Sequence, residues 1–331
     1  MNLQNRIDVL ADLSHYLDKN VDQWIAAKSK AQLQNPWFTD LFIASSLSNI
    51  QHEFLSKEAL MVWANQYPLN KIKEPKTIGI VMAGNIPLVG FHDFLCVFLS
   101  GHRQLIKMSS KDNVLLTQLI QYLHGQYPAT RDLIKIADTL NQCDAYIATG
   151  NNQSAQHFKK YFSPFPNIIR DQKTSIAILK GDESAADLNA LAQDIHLYFG
   201  LGCRNVTKIF VPKNYDFVPL LDSFKAYHFL KDFHRYNNNY DYQLSLALLN
   251  QQAYMTDGTT LLIESPLYFS PISVLYFEYY ENYSYTLEMQ AANPFIQCVI
   301  GCENTPFGKA QSPGLDDFAD GINTMDFLIS I

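Results

Sequence analysis

The sequence predicts an α/β protein built on a doubly wound parallel sheet, followed by a second α/β domain. Two observations carry this. Between residues 77 and 179 short apolar runs alternate with helical patterns, the mark of strand–helix–strand units rather than hairpins. Several of the runs also end on turn-forming residues, among them Gly84-Asn85-Ile86-Pro87 and Thr149-Gly150-Asn151-Asn152. The carboxyl ends of the strands are where such a sheet binds its ligands.

Residues 1 to about 70 read as helical, with Leu3, Ile7, Leu10 and Leu17 on one face and Leu41, Ala44 and Leu47 continuing the pattern after Pro36. Lys71-Ile72-Lys73-Glu74-Pro75 breaks it and marks a boundary. Residues 78–83 form the first strand, and a helix follows over about 88–100 until Gly101 stops it. The next strand is 104–108, and Asp112 can cap a helix that runs to about His124. Residues 133–137 and 145–148 read as further strands, 153–161 as a helix and 175–179 as one more strand. Leu188, Leu191, Ala192, Ile195 and Phe199 then make a helical stripe that ends at Gly200. The helix delivers Cys203 into a loop, and residues 206–211 leave that loop as a strand. A polar-aromatic stretch, 236–242, and a Tyr- and Phe-rich segment, 268–280, lie beyond it.

A chain of 331 residues can bury a large core and suits two lobes better than one. Its 25 Lys and Arg against 32 Asp and Glu give a net charge of −7 without a dense basic run, which argues against a nucleic-acid partner. The cysteines at 96, 143, 203, 298 and 302 are odd in number and share no Cys-x-x-Cys spacing. That pattern points to reduced thiols in the cytoplasm and to no metal site. The start of the chain lacks the basic and apolar blocks of a secretory signal. The most apolar long window, 78–99, is interrupted by Asn85, Pro87, His92 and Asp93, so no membrane span is expected.

Cys203 sits in Phe199-Gly200-Leu201-Gly202-Cys203-Arg204-Asn205. Glycines let backbone approach a substrate closely, and Arg204 supplies a field that favours a thiolate, so Cys203 is the candidate nucleophile. The other reading is a small buried hydrophobe, and the local residues do not decide between the two.

Taken in order, Gly84-Asn85-Ile86-Pro87-Leu88, Lys107-Met108-Ser109-Ser110, Thr149-Gly150-Asn151, Cys203 with Phe210-Val211, and Thr305-Pro306-Phe307-Gly308 with residues 314–318 resemble a known family. It is the acyl-CoA reductase family whose best-known member is the fatty-acid reductase of bacterial bioluminescence, a branch of the aldehyde dehydrogenase superfamily. The resemblance runs from about Thr77 to the C-terminus. It implies an aldehyde dehydrogenase-like fold in four parts: a helical segment 1–70 packed on a dinucleotide-binding domain 71–199, a catalytic domain 200–304, and a closing segment 305–331. Residues 325–331 would form a final strand, of a kind that joins relatives into oligomers, so a homodimer is expected.

The activity implied is reduction of a fatty acyl-CoA or acyl-carrier thioester to the aldehyde. Cys203 would attack the acyl carbonyl, and the Asn85 side chain would complete an oxyanion hole with the Cys203 backbone N–H. An asparagine that merely shapes the turn is the alternative for Asn85. Gly84, Lys107, Ser109, Ser110, Thr149 and Gly150 would hold the cofactor. Where the superfamily often has a glutamate for the 2′-hydroxyl of NAD, this chain has Ser110 followed by Lys111, which favours NADPH over NADH.

Two departures from the superfamily stand out. Its water-activating glutamate aligns near Arg170, as suits a reductase whose acyl-enzyme must not hydrolyse. Its ribose-holding glutamate aligns near Leu267, with Glu264 the neighbouring carboxylate. Arg204 and His196 are candidates to assist the thiol, and His92 and His234 lie near other matched segments. The aromatic run 268–285 reads as packing or as the lining of an acyl channel. Two other functions fit the residues: acyl transfer or thioester cleavage on Cys203 without a cofactor, and a non-catalytic relative that binds an acyl carrier or a partner enzyme.

Overall fold

Leu10 and Leu13, Trp24, Phe42 and Leu60 are each fully buried and fall on four successive α-helices, which is why the N-terminal segment of the chain packs rather than trails. These are α1 (Leu3–Asp18), α2 (Asp22–Gln34), α3 (Asp40–Asn49) and α4 (Lys57–Ala64). Asn2, Thr39 and Ser56 cap three of them by accepting backbone N–H groups that the first turn leaves without partners. This computed structural model describes residues 1–331 except Asn20, Lys73, Asn151, Glu303 and Asn304, and describes Asn152 by its backbone. Lys73 in the expected boundary stretch, Asn151 in the expected cofactor turn and position 304, where the catalytic domain was expected to end, lie outside the described residues.

The chain divides into two units, residues 1–172 with 313–331, and residues 173–312. In the first, β1 (Thr77–Val81), β2 (Arg103–Lys107), β3 (Ile134–Ile136), β4 (Ala145–Thr149) and β5 (Asn167–Arg170) form a wholly parallel sheet in the order β3-β2-β1-β4-β5. The crossovers are α5 (Phe91–Ser100), α6 (Val114–Gln126) and α7 (Asn152–Phe162), while residues 137–144 join β3 to β4 without a helix. Helix α5 is apolar almost all round and buried over nearly its whole length, as a helix enclosed by other layers must be. It starts later than expected, because Leu88 adopts a left-handed φ of 55° in the turn before it. Asp112 does not cap α6. Its carboxylate accepts the Leu88 N–H instead, at 2.7 Å.

The second unit holds β6 (Thr174–Ile178), α8 (Ala185–His196), β7 (Val206–Pro212), α9 (Val218–Ser223), α10 (His234–Leu249), β8 (Met255–Thr256), β9 (Leu261–Glu264), β10 (Val274–Tyr280), α11 (Tyr283–Ala291) and β11 (Ile296–Ile300). Its sheet runs β11-β6-β7-β10-β9-β8, parallel except where β8 meets β9. The division at 172/173 precedes the expected 199/200 because β6 pairs with β7 and β11, not with the first sheet.

Residues 325–331 are not a strand. They belong to α12 (Thr324–Ser330), capped by Asn323 through the N–H groups of Met325 and Asp326 and buried at Thr324, Met325 and Leu328. The strand on which the homodimer expectation rested is therefore a helix packed into the first unit's core. In the aromatic run, the Tyr268, Tyr280 and Tyr283 hydroxyls donate to Gln290 Oε1, Leu179 O and Gly301 O at 2.9, 2.7 and 3.3 Å, so these side chains brace the second sheet. Among the described residues no helix is long and apolar enough to cross a membrane.

Candidate active site

Helix α8 opens with a capping box between Ser184 and Asp187, and its last carbonyls need partners outside the helix. Asn205 supplies them. Fully buried, it donates from Nδ2 to Asp194 O, Ile195 O and Leu197 O at 3.0, 3.3 and 2.8 Å, and its Oδ1 accepts the Gly202 N–H at 2.8 Å. One side chain thus ties the end of the helix to the loop carrying Cys203. Between them Tyr198, Phe199 and Gly200 take φ values of 56°, 56° and 74° in succession. For bulky residues that region costs on the order of 1–3 kcal/mol each and survives only where packing enforces it. Here Phe199 is buried against Phe233 and Tyr236, with ring centroids 5.2 and 5.6 Å away.

Cys203 is half-buried. The Ser175 hydroxyl donates to the Cys203 carbonyl at 3.0 Å and lies 3.0 Å from Cys298 Sγ. Because that hydroxyl has one proton, Cys298 is the donor in the second contact. Burial pushes the Cys298 thiol up to about 11, with the nearby Arg204 opposing, so it stays protonated. Arg204 itself reaches the Ala310 carbonyl at 3.4 Å. Asp194, fully buried, accepts the N–H groups of Gly308 and Ala310 at 2.7 and 3.1 Å, and burial raises its carboxyl to about 7.

His196 is not arranged as an acid or base for this thiol. Its Nδ1 donates to Ala192 O at 2.8 Å, which makes Nε2 the acceptor from Thr260 Oγ1 at 2.8 Å. Burial lowers its pKa to about 4, so it is a neutral, packed side chain. His92 likewise donates to the Leu315 carbonyl at 3.0 Å.

In the first unit, Gly84-Asn85 and Thr149-Gly150 follow β1 and β4, adjacent strands between which the winding direction reverses, the usual ligand crevice of such a sheet. Gly84 is required there: a Cβ would lie 2.6 Å from Ser109 Oγ and 3.1 Å from the Asp112 nitrogen. Asn85 is exposed. Ser109 accepts the Lys111 N–H at 3.2 Å and shapes the turn after β2. Arg170 is buried, paired with Asp93 of α5, and donates to Thr324 Oγ1 at 3.0 Å.

A cleft of about 720 Å³ opens at the ends of β2 and β3, within the roughly 300–1,000 Å³ of small-molecule sites. Lys107, Ser110, Lys30 and Asp138 line it, whereas Gly84, Ser109, Lys111, Thr149 and Gly150 do not. Two ammonium groups and a hydroxyl suit an anionic nucleotide such as the dinucleotide that the resemblance implies. Asn205, Ser175, Cys298 and Lys30 are the residues to which sequence reasoning gave no role. Only Asn205 carried a signal, by its place inside the Cys203 motif; the others meet their partners across long stretches of chain.

The chain is 24% identical over 201 residues to a long-chain acyl-protein thioester reductase of Aliivibrio fischeri, a match covering 54% of this chain and 42% of that protein's length. Its fold is that of the aldehyde dehydrogenases. The structure of aldehyde dehydrogenase 21 from Physcomitrella patens, complexed with succinate, superposes with a TM-score of 0.70 at 12% identity, covering 100% of this chain and 84% of that one. An aldehyde dehydrogenase of Bacillus cereus in complex with NAD+ gives 0.64 at 11% identity, covering 91% and 72%. An NADP-dependent enzyme of E. coli gives 0.68 at 8% identity, covering 91% and 73%. The family model for acyl-CoA reductase (LuxC) matches residues 25–219, more than half of the sequence, and the chain belongs to that family.

Proposed function

We propose that this chain reduces a fatty acyl thioester, on CoA or a carrier protein, to the aldehyde through an acyl group held on Cys203. The observation that carries the reading is the loop itself: a half-buried cysteine beside an arginine, held by Asn205 and Ser175 against a left-handed backbone run. Such rigidity is what a nucleophile needs to meet a carbonyl in one geometry. The name of the Aliivibrio fischeri relative and the cofactors of the structural relatives support the same chemistry.

Cys203 attacks the acyl carbon as the thiolate, which the Arg204 charge favours. The oxyanion accepts hydrogen bonds from the Cys203 N–H and the Asn85 amide, and the donor thiol departs. Lys107 and Ser110 would hold the adenosine end of a nicotinamide dinucleotide, and the turns at Gly84 and Thr149-Gly150 would hold the rest; when bound, it would supply the hydride that reduces the thioester. Cys203 then leaves as thiolate and frees the aldehyde. Arg170, paired with Asp93, cannot act as the base that would activate water against the acyl-enzyme.

Incubation with a radiolabelled long-chain acyl-CoA is expected to label the protein covalently and to leave Cys203→Ala unlabelled. Equal labelling of the variant would remove Cys203 from the mechanism. Consumption of the reduced cofactor in step with loss of thioester separates reduction from simple acyl transfer, which consumes none.

A further inference from the structure

The N-terminal helices carry no motif, yet one of them forms a wall of the cleft at the ends of β2 and β3. Gln23, Ala26, Ala27 and Lys30 of α2 all line it, spaced 3, 4 and 7 residues from the first, so they share one helical face. The wall is held in place from both sides. Trp24 and Ala31 are buried beneath it, and Gln34 Nε2 and Asn35 Nδ2 donate to the Ser110 and Lys111 carbonyls at 2.9 and 3.1 Å. Those bonds fasten α2 to the turn after β2, the turn that also presents Ser110 to the cleft.

The charged residues lining the cleft are Lys30, Lys107 and Asp138. Lys107 is accounted for by its proposed place at the adenosine end of the cofactor. Lys30 is then a second cation in the same cleft, and Lys111, which the sequence put forward for a 2′-phosphate, is outside it. Building on the reading of the chain as a dinucleotide-dependent reductase, we propose that Lys30 recognises a phosphate on the adenosine ribose and so selects a 2′-phosphorylated dinucleotide, with Asp138 opposing that choice. A ribose phosphate carries about −1.5 to −2 charges at pH 7 and suits two ammonium groups. An unmodified ribose offers only hydroxyls, which a carboxylate such as Asp138 accepts from.

The test is binding, measured by titration calorimetry on the full chain with 2′,5′-ADP and 5′-AMP, and with NADP+ and NAD+. Lys30→Met keeps the aliphatic stem and removes the charge. It is expected to weaken 2′,5′-ADP and NADP+ by roughly ten-fold while 5′-AMP and NAD+ change little, because a charge-assisted contact is lost for only one pair. Asp138→Asn is expected to tighten 2′,5′-ADP, and Lys111→Met to leave the preference unchanged. A wild type that binds NADP+ with a preference that Lys30→Met does not move overturns the assignment of Lys30 and leaves the reductase reading standing. A wild type that prefers NAD+ and loses it in Asp138→Asn overturns the proposed selectivity. A wild type that binds none of the four nucleotides overturns both this inference and the reading on which it rests.

Discussion

Asn205 bonds four backbone groups with one buried amide, and no apolar residue of similar size can replace it without stranding them. Each buried group left without a partner costs about 1–3 kcal/mol. Asn205→Ala is therefore expected to lower the free energy of urea unfolding by about 2–4 kcal/mol. It should also speed alkylation of the half-buried Cys203 by iodoacetamide under native conditions, since the loop that covers the thiol loses its anchor. Asp112 makes a different kind of statement. One of its oxygens takes the Leu88 N–H while the other is buried without a partner among the described residues, and burial raises the carboxyl from 3.8 to about 7. A carboxyl raised on folding binds its proton more tightly in the native state. Its stabilisation is full below about pH 4 and is lost as the pH climbs through about 7. Asp112→Asn mimics the protonated form, so its melting temperature relative to wild type should rise from pH 5 to about pH 7 and level off above it. A difference independent of pH would show that Asp112 does not titrate in that window.

At the scale of elements, the pair of Arg170 on β5 and Asp93 on α5, with Thr324 of α12, fastens strand, crossover helix and C-terminal helix together. Removing one member of a buried pair costs about 3–5 kcal/mol because the other charge is left uncompensated. Arg170→Met should lose about that much in denaturant unfolding, and Arg170→Met with Asp93→Leu should recover a large part of it. Equal losses in the single and double variants would mean the pairing is not what Arg170 contributes. The sequence set Arg170 against the superfamily's glutamate but could not show its partner, 77 residues earlier. The same limit explains α12. Its pattern of Met325, Phe327, Leu328 and Ile329 fits a short strand as well as a short helix, and only the cap at Asn323 and burial against α5 decide for the helix. Strands β1 and β4 were legible because each is a largely apolar run that ends at a turn. The allegiance of β6 was not, since it reads like them and sheet membership is set by pairing across the chain.

For the molecule as a whole, the groups assigned to one reaction are divided between the two units, Asn85, Lys107 and Thr149 in the first and Cys203 and Arg204 in the second. The sequence made this division visible only through the order of its motifs. The Cys203 loop carries the reductase reading, and to it the proposal adds an oxyanion role for Asn85. Asn85 is the residue on which that claim can be broken. If it stabilises the oxyanion, Asn85→Ala lowers the rate of acyl-enzyme formation by about 10²–10³ while leaving the apparent affinity for the acyl donor close to wild type, because the interaction exists only once charge has developed on oxygen. If it merely shapes the turn between β1 and α5, the same variant disturbs the contact of Gly84 with Ser109 and weakens nucleotide binding, with acylation in the absence of nucleotide nearly untouched. Rapid-quench measurement of acylation without cofactor, beside calorimetric nucleotide affinity for the same protein, tells these apart. A loss confined to acylation assigns Asn85 to the chemistry of Cys203, and a loss confined to nucleotide binding leaves the oxyanion to the Cys203 backbone N–H.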